Sequence, residues 1–379
     1  MPQLYQEKQD CCGCAACADI CPKDAISMIR CDGFDYPRID PQKCVECGLC
    51  TKVCAFQRKQ NKDSNCLAAY ACRHNDAVRG QSSSGGIFTA LSDRILEDGG
   101  VIYGAAFDES MALCHTRASD ALGRDRMRGS KYIQSSTVGI YRQVKSDLKR
   151  GLRVLFTGTP CQVAALKAYL AKDYESLICV DVICHGVPSP EVWSRFVAYL
   201  EEKYRGKITC YSFRNKDVAW RRYSPTAVFA DGRVIGANDH TGSFIELFRY
   251  DVCMRSACTV CRFASVHREG DLTISDFWGI ENVMPQIDDE KGISAVMVNS
   301  RKGLAMLREI EMDVELHECT QEAIGARQPN LYAPSQFSNK ASAFQKDYVC
   351  KTFETVLKKY TRVGLKRRLI DRIKSVTER

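Results

Sequence analysis

The stretches CCGCAACADIC at residues 11–21 and CVECGLCTKVC at residues 44–54 decide how this chain begins to fold. Each stretch contains the pattern Cys-x2-Cys-x2-Cys-x3-Cys, and Cys12 is an additional cysteine outside the pattern. In such a run the first three cysteines lie on one tight loop and bind one 4Fe–4S cluster, while the fourth binds a second cluster. Two complete runs with the same spacing therefore predict a module with two 4Fe–4S clusters.

The predicted ligands form two crossed sets. One cluster would be bound by Cys11, Cys14, Cys17 and Cys54, and the other by Cys21, Cys44, Cys47 and Cys50. Zinc is the alternative metal, but zinc sites usually show two CxxC pairs and not two triplets. Pro22 follows the first run, whereas Ala55 stands after the second, and neither difference removes a ligand. We predict an α+β, ferredoxin-like two-cluster module in residues 1–62.

The composition is that of a globular protein without export or membrane signals. Hydrophobic residues make up 45% of the chain and charged residues 26%, which are ordinary values. The longest apolar stretch, residues 177–184, is interrupted by Asp181 and is too short to span a bilayer. Residues 1–7 show neither a basic start nor an apolar signal core. We therefore expect a cytoplasmic protein, and the count of 22 cysteines then indicates metal binding by some of them in place of disulfides.

The formal net charge of +8 does not by itself predict nucleic acid as a partner. Four thiolates make each cluster site negative, and a bound dinucleotide would add further negative charge. The basic excess partly offsets these cofactors, so we expect no nucleic acid as a partner, although a patch for an acidic partner could still exist, especially in the tail. The short apolar stretches predict no transmembrane segment.

After residue 67 helical and strand patterns alternate, which predicts an α/β domain. Helices are predicted at residues 87–97, 161–171, 190–204, 341–359 and 363–376, and strands at 101–107, 153–157 and 177–183. We assign residues 63–335 to this α/β domain, with parts at 63–148 and 149–335. Residues 336–379 are expected to form a short, basic, helical tail.

Four further cysteines are candidates for a third cluster. Cys161 follows a Gly-Thr-Pro turn and opens a helix, whose dipole favours a thiolate. Cys184 lies one strand–helix–strand unit later, and parallel strands would place both cysteines at the ligand-binding edge of the sheet. Cys258-x2-Cys261 would complete four ligands. Each cysteine alone could instead be buried and structural, and Cys253 is a rival ligand.

Two polar segments predict a dinucleotide site. Residues 81–86, QSSSGG, precede the helix at 87–97, whose free N–H groups can bind a pyrophosphate. Residues 129–135, GSKYIQS, supply a cation, an aromatic ring and hydroxyls, which suit a flavin. The alternatives are an ordinary capped helix for the first segment and a surface turn for the second.

Two residues are candidates for catalysis. His185, beside Cys184, could donate a proton near a flavin or a hydrogen bond to a cluster sulfur, and we favour the second role. Asp276, at the end of a predicted strand, could hold a cofactor or cap a turn.

These motifs together resemble the beta subunits of coenzyme F-420-reducing hydrogenases and dehydrogenases. The matching segments are residues 82–86, 131–135, 157–162, 184–186, 213–216, 258–261 and 270–279. The resemblance implies a flavin-binding α/β domain in which FAD lies beside a 4Fe–4S cluster and exchanges a hydride with a deazaflavin coenzyme. On this basis the FAD contacts would be Ser83, Ser84, Gly85, Gly86, Lys131, Tyr132, Ser135 and Thr159, and the third-cluster ligands Cys161, Cys184, Cys258 and Cys261.

The sequence therefore predicts an iron–sulfur flavoprotein oxidoreductase. Clusters pass single electrons and a flavin passes one or two, so electrons would move between the clusters, FAD and a coenzyme or small organic substrate. The expected partner is a ferredoxin or a larger oxidoreductase complex, and the chain could form a homo-oligomer. The alternative is an electron-transfer subunit that has no substrate of its own and feeds a partner enzyme.

Overall fold

A computed structural model describes residues 2–58, 62–216 and 219–363. The basic helix predicted at residues 363–376 lies outside the described residues apart from its first position. Among the helices in these ranges, none has both the length and the apolar character needed to cross a membrane.

The two cysteine runs form a pseudo-symmetric module around one hairpin. Its regular elements are helices α1 (Ala16–Asp19) and α2 (Leu49–Lys52) and strands β1 (Ile26–Cys31) and β2 (Phe34–Ile39). The residue before each helix has a left-handed backbone, with φ of 59° at Ala15 and 72° at Gly48. At these residues the chain turns inside each cysteine loop, so that the cysteines of one loop can bind the same cluster. The predicted α+β module is confirmed.

The rest of the described chain is built on a mixed sheet. The strands are β3 (Ala68–Arg73), β4 (Val101–Phe107), β5 (Leu113–Ala118), β6 (Val154–Gly158), β7 (Leu177–Val182), β8 (Ile208–Ser212), β9 (Thr226–Phe229), β10 (Val234–Ile235), β11 (Leu272–Asp276), β12 (Ser294–Val298) and β13 (Glu315–Cys319). Eight of these form one sheet in the order β13-β3-β12-β11-β7-β6-β4-β5, and β8–β10 form a small separate sheet. Strands β4, β6, β7 and β11 are parallel, so their carboxyl ends lie at one edge of the sheet.

Helices cover both faces of the large sheet. Their bounds are α3 (Asp76–Gly80), α4 (Ile87–Glu97), α5 (Ala121–Met127), α6 (Ile140–Lys149), α7 (Pro160–Leu170), α8 (Pro190–Tyr204), α9 (Ser243–Arg249), α10 (Ile280–Val283), α11 (Arg301–Glu309), α12 (Gln321–Gly325), α13 (Ala341–Cys350) and α14 (Phe353–Tyr360). Helices α4 and α11 share one buried cluster with the sheet. Helices α6 and α7 share another, which also contains Phe56 of the N-terminal module.

Several predicted elements have the bounds that the structure gives, and the differences have local causes. The helices at 87–97 and 190–204 and the strand at 101–107 are confirmed. The helix after β6 begins one residue early because Pro160 fits its first turn and Thr159 caps it. Residues 341–359 are helical as predicted but are divided into two helices, because extended backbone at Lys351 separates α13 from α14.

The N-terminal module is fixed to the larger domain by a helix cap that crosses between them. Asp19 is 5% exposed, and its carboxylate accepts hydrogen bonds from the backbone N–H of Gly139 at 2.7 Å and of Tyr141 at 3.1 Å. These donors lie at the start of α6, where free N–H groups and the helix dipole favour an anion. Arg142 adds hydrogen bonds to three carbonyl groups of the module.

We expect Asp19→Asn to weaken this docking by about 1 to 3 kcal/mol, because a buried charge-assisted acceptor is replaced by an amide. The measurement is the urea midpoint of unfolding, followed by circular dichroism without oxygen. Asp24→Asn is the matched control, since the Asp24 carboxylate is 76% exposed and its ion pair with Arg142 contributes little. Equal midpoints for the two variants would contradict the assigned cap.

Candidate metal centres and cofactor site

A cavity in the N-terminal module brings together the second crossed set of cysteines. It is lined by Cys21, Cys44, Cys47 and Cys50, and Pro22, Ile26 and Ile39 complete its apolar wall. Cys21 comes from the first run and the other three from the second, as the crossed ligand assignment requires. Cys47 is exposed, so this site reaches the surface.

The first crossed set is grouped more deeply. The Cys17 thiol interacts electrostatically with those of Cys11, Cys14 and Cys54. Burial raises the pKa of the Cys54 thiol to about 11 and that of Cys17 well above its usual range. Thiols in such surroundings become thiolates when a bound metal supplies the compensating positive charge.

A second cavity, at the carboxyl edge of the sheet, brings together the proposed third set. It is lined by Cys161, Cys184, Cys258 and Cys261, which come from three separate parts of the chain. Burial raises the pKa of Cys258 to about 12 and that of Cys261 to about 11. A hydrogen bond from Cys12, opposed by burial, lowers the pKa of Cys161 to about 7. The rival ligand Cys253 lies among aromatic core residues such as Trp193 and not along this cavity.

The donor chemistry of all three sets fits iron–sulfur clusters, because each set supplies four cysteine sulfurs. In the described part of the chain, no group of three or more His, Cys, Asp or Glu side chains is arranged to hold a lone metal ion. The assignments therefore rest on the spacing of the cysteines and on the cavities and electrostatic groups that they share.

Cys12 is a functional candidate that the sequence pattern did not single out. Its side chain is 8% exposed, lines the second cavity and interacts electrostatically with both Cys14 and Cys161. These two partners belong to different cysteine sets. Cys12 therefore bridges the first and third sets, and its position beside Cys11 was the one signal in the sequence.

A buried hydrogen-bond chain leads to Cys161. The Thr159 hydroxyl lies 3.2 Å from the Cys161 sulfur and donates to Gln162, whose amide N–H donates to Ser135. The Ser135 hydroxyl in turn lies 2.9 Å from Nδ1 of His115. Burial lowers the pKa of His115 to about 4, so its ring is neutral at pH 7. Two residues predicted to contact FAD, Ser135 and Thr159, thus already form hydrogen bonds within the protein beside the third cysteine set.

The other predicted FAD segments converge at the same edge of the sheet. The Ser130 N–H donates to the Ser83 hydroxyl at 2.7 Å, which joins two loops. The Lys216 ammonium donates to the Ser84 carbonyl at 2.5 Å, which adds a third segment. Gly85 is required for close packing, since a Cβ there would lie 2.2 Å from the carbonyl oxygen of Cys72.

Two lysines at this edge are held by backbone carbonyl groups. The Lys131 ammonium donates hydrogen bonds to the carbonyls of residues 127–129, which lie at the end of α5. Burial lowers the pKa of Lys131 to about 7, and burial likewise lowers that of Lys216 to about 7. A bound anion would favour the charged form of both side chains. Gly86, with φ of 93°, begins α4 nearby.

Asp276 forms an ion pair inside the protein at the edge of the sheet. Its carboxylate accepts hydrogen bonds from Arg214 and, at 2.9 Å, from the indole N–H of Trp220. Arg214 also interacts electrostatically with Tyr132, and its guanidinium lies 5.1 Å from the Trp278 ring. Asp276 therefore positions an arginine and aromatic rings at the edge of the sheet.

His185 lies between the cavity of the third set and this aromatic group. Its Nε2 lies 2.5 Å from the Asp251 carboxylate and its Nδ1 3.1 Å from the hydroxyl of Ser335, which also lines the cavity. Its ring centroid is 5.1 Å from that of Phe248, which is 4.7 Å from the ring of Tyr132. The ring contacts connect the cysteine cavity to the predicted FAD loops.

Two parts of the chain match known protein families. Residues 10–57 match the 4Fe-4S dicluster domain, and residues 151–322 match the C terminus of the coenzyme F420 hydrogenase/dehydrogenase beta subunit. The resemblance inferred from the motifs is thereby confirmed.

One curated relative and one solved structure are also similar. A protein named Ferredoxin 7Fe from Hydrogenibacillus schlegelii is 37% identical over 49 residues, which are 13% of this chain and 58% of that ferredoxin. A chain of the F420-reducing [NiFe] hydrogenase complex from Methanosarcina barkeri, solved with xenon, has 16% identity and a TM-score of 0.46. That likeness covers 68% of this chain and 85% of the other.

Proposed function

We propose that this chain, in which a 4Fe-4S dicluster domain precedes a domain of the coenzyme F420 hydrogenase/dehydrogenase beta-subunit family, is an iron–sulfur flavoprotein oxidoreductase. Electrons move between the clusters of the N-terminal module, a third cluster held by Cys161, Cys184, Cys258 and Cys261, and FAD. FAD would supply the step between single electrons and a hydride. The hydride partner is a deazaflavin coenzyme or a small organic substrate, and the electron partner is a ferredoxin.

The position of the second cavity carries this proposal. On one side Cys12 joins the cavity to the first cysteine set, and on the other His185 and Phe248 lead to Tyr132. The segments that contain Ser83, Ser84, Lys131 and Tyr132 meet on that second side. The cavity thus lies between the two-cluster module and a set of loops with cationic, hydroxyl and aromatic groups.

A second candidate is an electron-transfer subunit without flavin. It is favoured by the hydrogen bonds that already engage Lys131, Ser135 and Thr159 within the protein. In that case the third cluster would pass electrons directly to a partner enzyme.

Cofactor content separates the candidates. We expect protein purified without oxygen to contain about twelve irons, about twelve sulfides and about one FAD per chain. About twelve irons without flavin would favour the electron-transfer subunit. About eight irons without flavin would refute both the third cluster and the flavin, and would leave a two-cluster carrier.

A further inference from the structure

The side chain of Arg255 is a buried cation at the boundary between the N-terminal module and the second cavity. It is 1% exposed, and its Nε donates to the Cys11 carbonyl at 2.8 Å. Its other N–H groups donate to the side-chain carbonyl of Gln134 at 2.9 Å and the backbone carbonyl of Asp35 at 3.1 Å. None of these acceptors carries a negative charge.

The other buried arginines of the described chain are neutralised by carboxylates. The ion pairs are Arg79–Asp289, Arg124–Asp93, Arg214–Asp276 and Arg268–Asp181. Among the residues that the structure describes, Arg255 forms no such pair. A buried charge without a counter-charge is costly, so an anion at this place would stabilise the protein.

Cysteine sulfurs of two sets are the groups that can supply this anion. Nη2 of Arg255 lies 3.7 Å from the sulfur of Cys11, a ligand of the first set. Arg255 also lines the cavity of the third set, and its carbonyl accepts a hydrogen bond from the N–H of Cys258 at 3.0 Å. The rings of Tyr36 and Phe34, with centroids 4.3 Å and 5.4 Å from the guanidinium carbon, keep water from the other side.

The first ligand loop is shaped to admit the guanidinium. Gly13, between Cys12 and Cys14, has φ of 71°, and a Cβ at this position would lie 2.6 Å from Nη1 of Arg255. A side chain at residue 13 would therefore both strain the backbone and displace the arginine. This is a second observation, independent of the hydrogen bonds, that the loop and Arg255 fit each other.

We propose that the positive charge of Arg255 acts on both the first and the third cluster and raises the reduction potential of each. The inference rests on the proposed function, because the clusters are its partners. One-electron reduction adds one negative charge to a cluster, and a fixed cation in a poorly hydrated place stabilises the reduced form. No bond is made or broken in this step.

The test is an EPR-monitored titration of the full-length, cluster-loaded chain with dithionite, in Arg255→Gln, Arg255→Lys and Arg142→Gln variants. For Arg255→Gln we expect the reduced-to-oxidised ratio of the first and third clusters, at a fixed potential, to fall at least tenfold, which is 59 mV for one electron. The second cluster should shift less. Arg255→Lys keeps the charge and should stay within that tenfold limit.

Arg142→Gln is the docking control, because Arg142 also ties the module to the larger domain but is paired with the Asp24 carboxylate. A tenfold fall in Arg255→Lys, or an equal fall in Arg142→Gln, would overturn the inference in favour of a purely structural role. Unchanged potentials in Arg255→Gln would also overturn it. Wild-type protein with fewer than about twelve irons would instead refute the proposed function, and with it the partner that this inference needs.

Discussion

Replacing Cys258 with serine should remove about a third of the bound iron, from about twelve to about eight per chain, and leave the N-terminal clusters in place. Cys258 lines the second cavity with Cys161, Cys184 and Cys261, and a cluster held by three cysteines is easily lost. Serine is close to cysteine in size, so the fold should survive the change. Iron and sulfide content, measured on protein purified without oxygen, gives the result directly.

Cys253→Ser is the matched control for this experiment. Cys253 is 5% exposed and close to Cys258 in the sequence, but it packs in the aromatic core near Trp193 and Phe244. Its variant should keep all of its iron. Unchanged iron content in Cys258→Ser would contradict the third-cluster assignment. If Cys253→Ser alone loses iron, Cys253 and not Cys258 is the ligand.

The cysteine spacing was sufficient to predict the N-terminal module, because ligand loops of this kind are local. Each run fixes its own turn, and the left-handed backbone at Ala15 and Gly48 is the conformation that such turns need. The same holds for the edge of the large sheet. An apolar strand followed by a turn and a helix predicts where Cys161 and Cys184 lie, and β6 and β7 are indeed parallel.

Contacts between distant parts of the chain could not be predicted in this way. Arg255 and Cys11 are 244 positions apart, and Asp19 and Gly139 are 120 apart. No periodicity in the sequence relates such positions, because they meet only when the module packs on the larger domain. Both arginine and aspartate are common at surfaces, so their burial here carried no local signal.

The segments predicted to bind flavin show a second limit of prediction from sequence, because one residue can serve two purposes. A Ser-Gly loop before a helix suits a pyrophosphate, but Gly85 also allows the loop to pack on Cys72 and Ser294. The sequence cannot separate these two reasons for a glycine. Likewise, Asp276 at the end of β11 suited either a cofactor ligand or a turn cap, and nothing in the sequence indicated that its carboxylate accepts hydrogen bonds from Arg214 and Trp220.

Loss of the second cluster should isolate the protein from its electron partner. Cys47 is exposed and lies in the cavity that reaches the surface, whereas the cysteines of the first and third sets are only partly exposed. Electrons from a soluble ferredoxin should therefore enter or leave through the second cluster. The double variant Cys44→Ser/Cys47→Ser should slow reduction by ferredoxin at least tenfold, since electron transfer weakens steeply when the nearest cluster is removed.

Deleting the whole module would be a poorer test, because Phe56 and Ala55 belong to the buried cluster shared with α6 and α7. The double variant leaves that packing intact, and Cys31→Ser in strand β1 is its control, since Cys31 belongs to none of the three cysteine sets. Stopped-flow absorbance of the remaining clusters, with reduced ferredoxin as the donor, measures the rate. Dithionite should still reduce the third cluster in the double variant. If ferredoxin reduces that variant as fast as wild type, electrons enter elsewhere, and the order from second to first to third cluster is wrong.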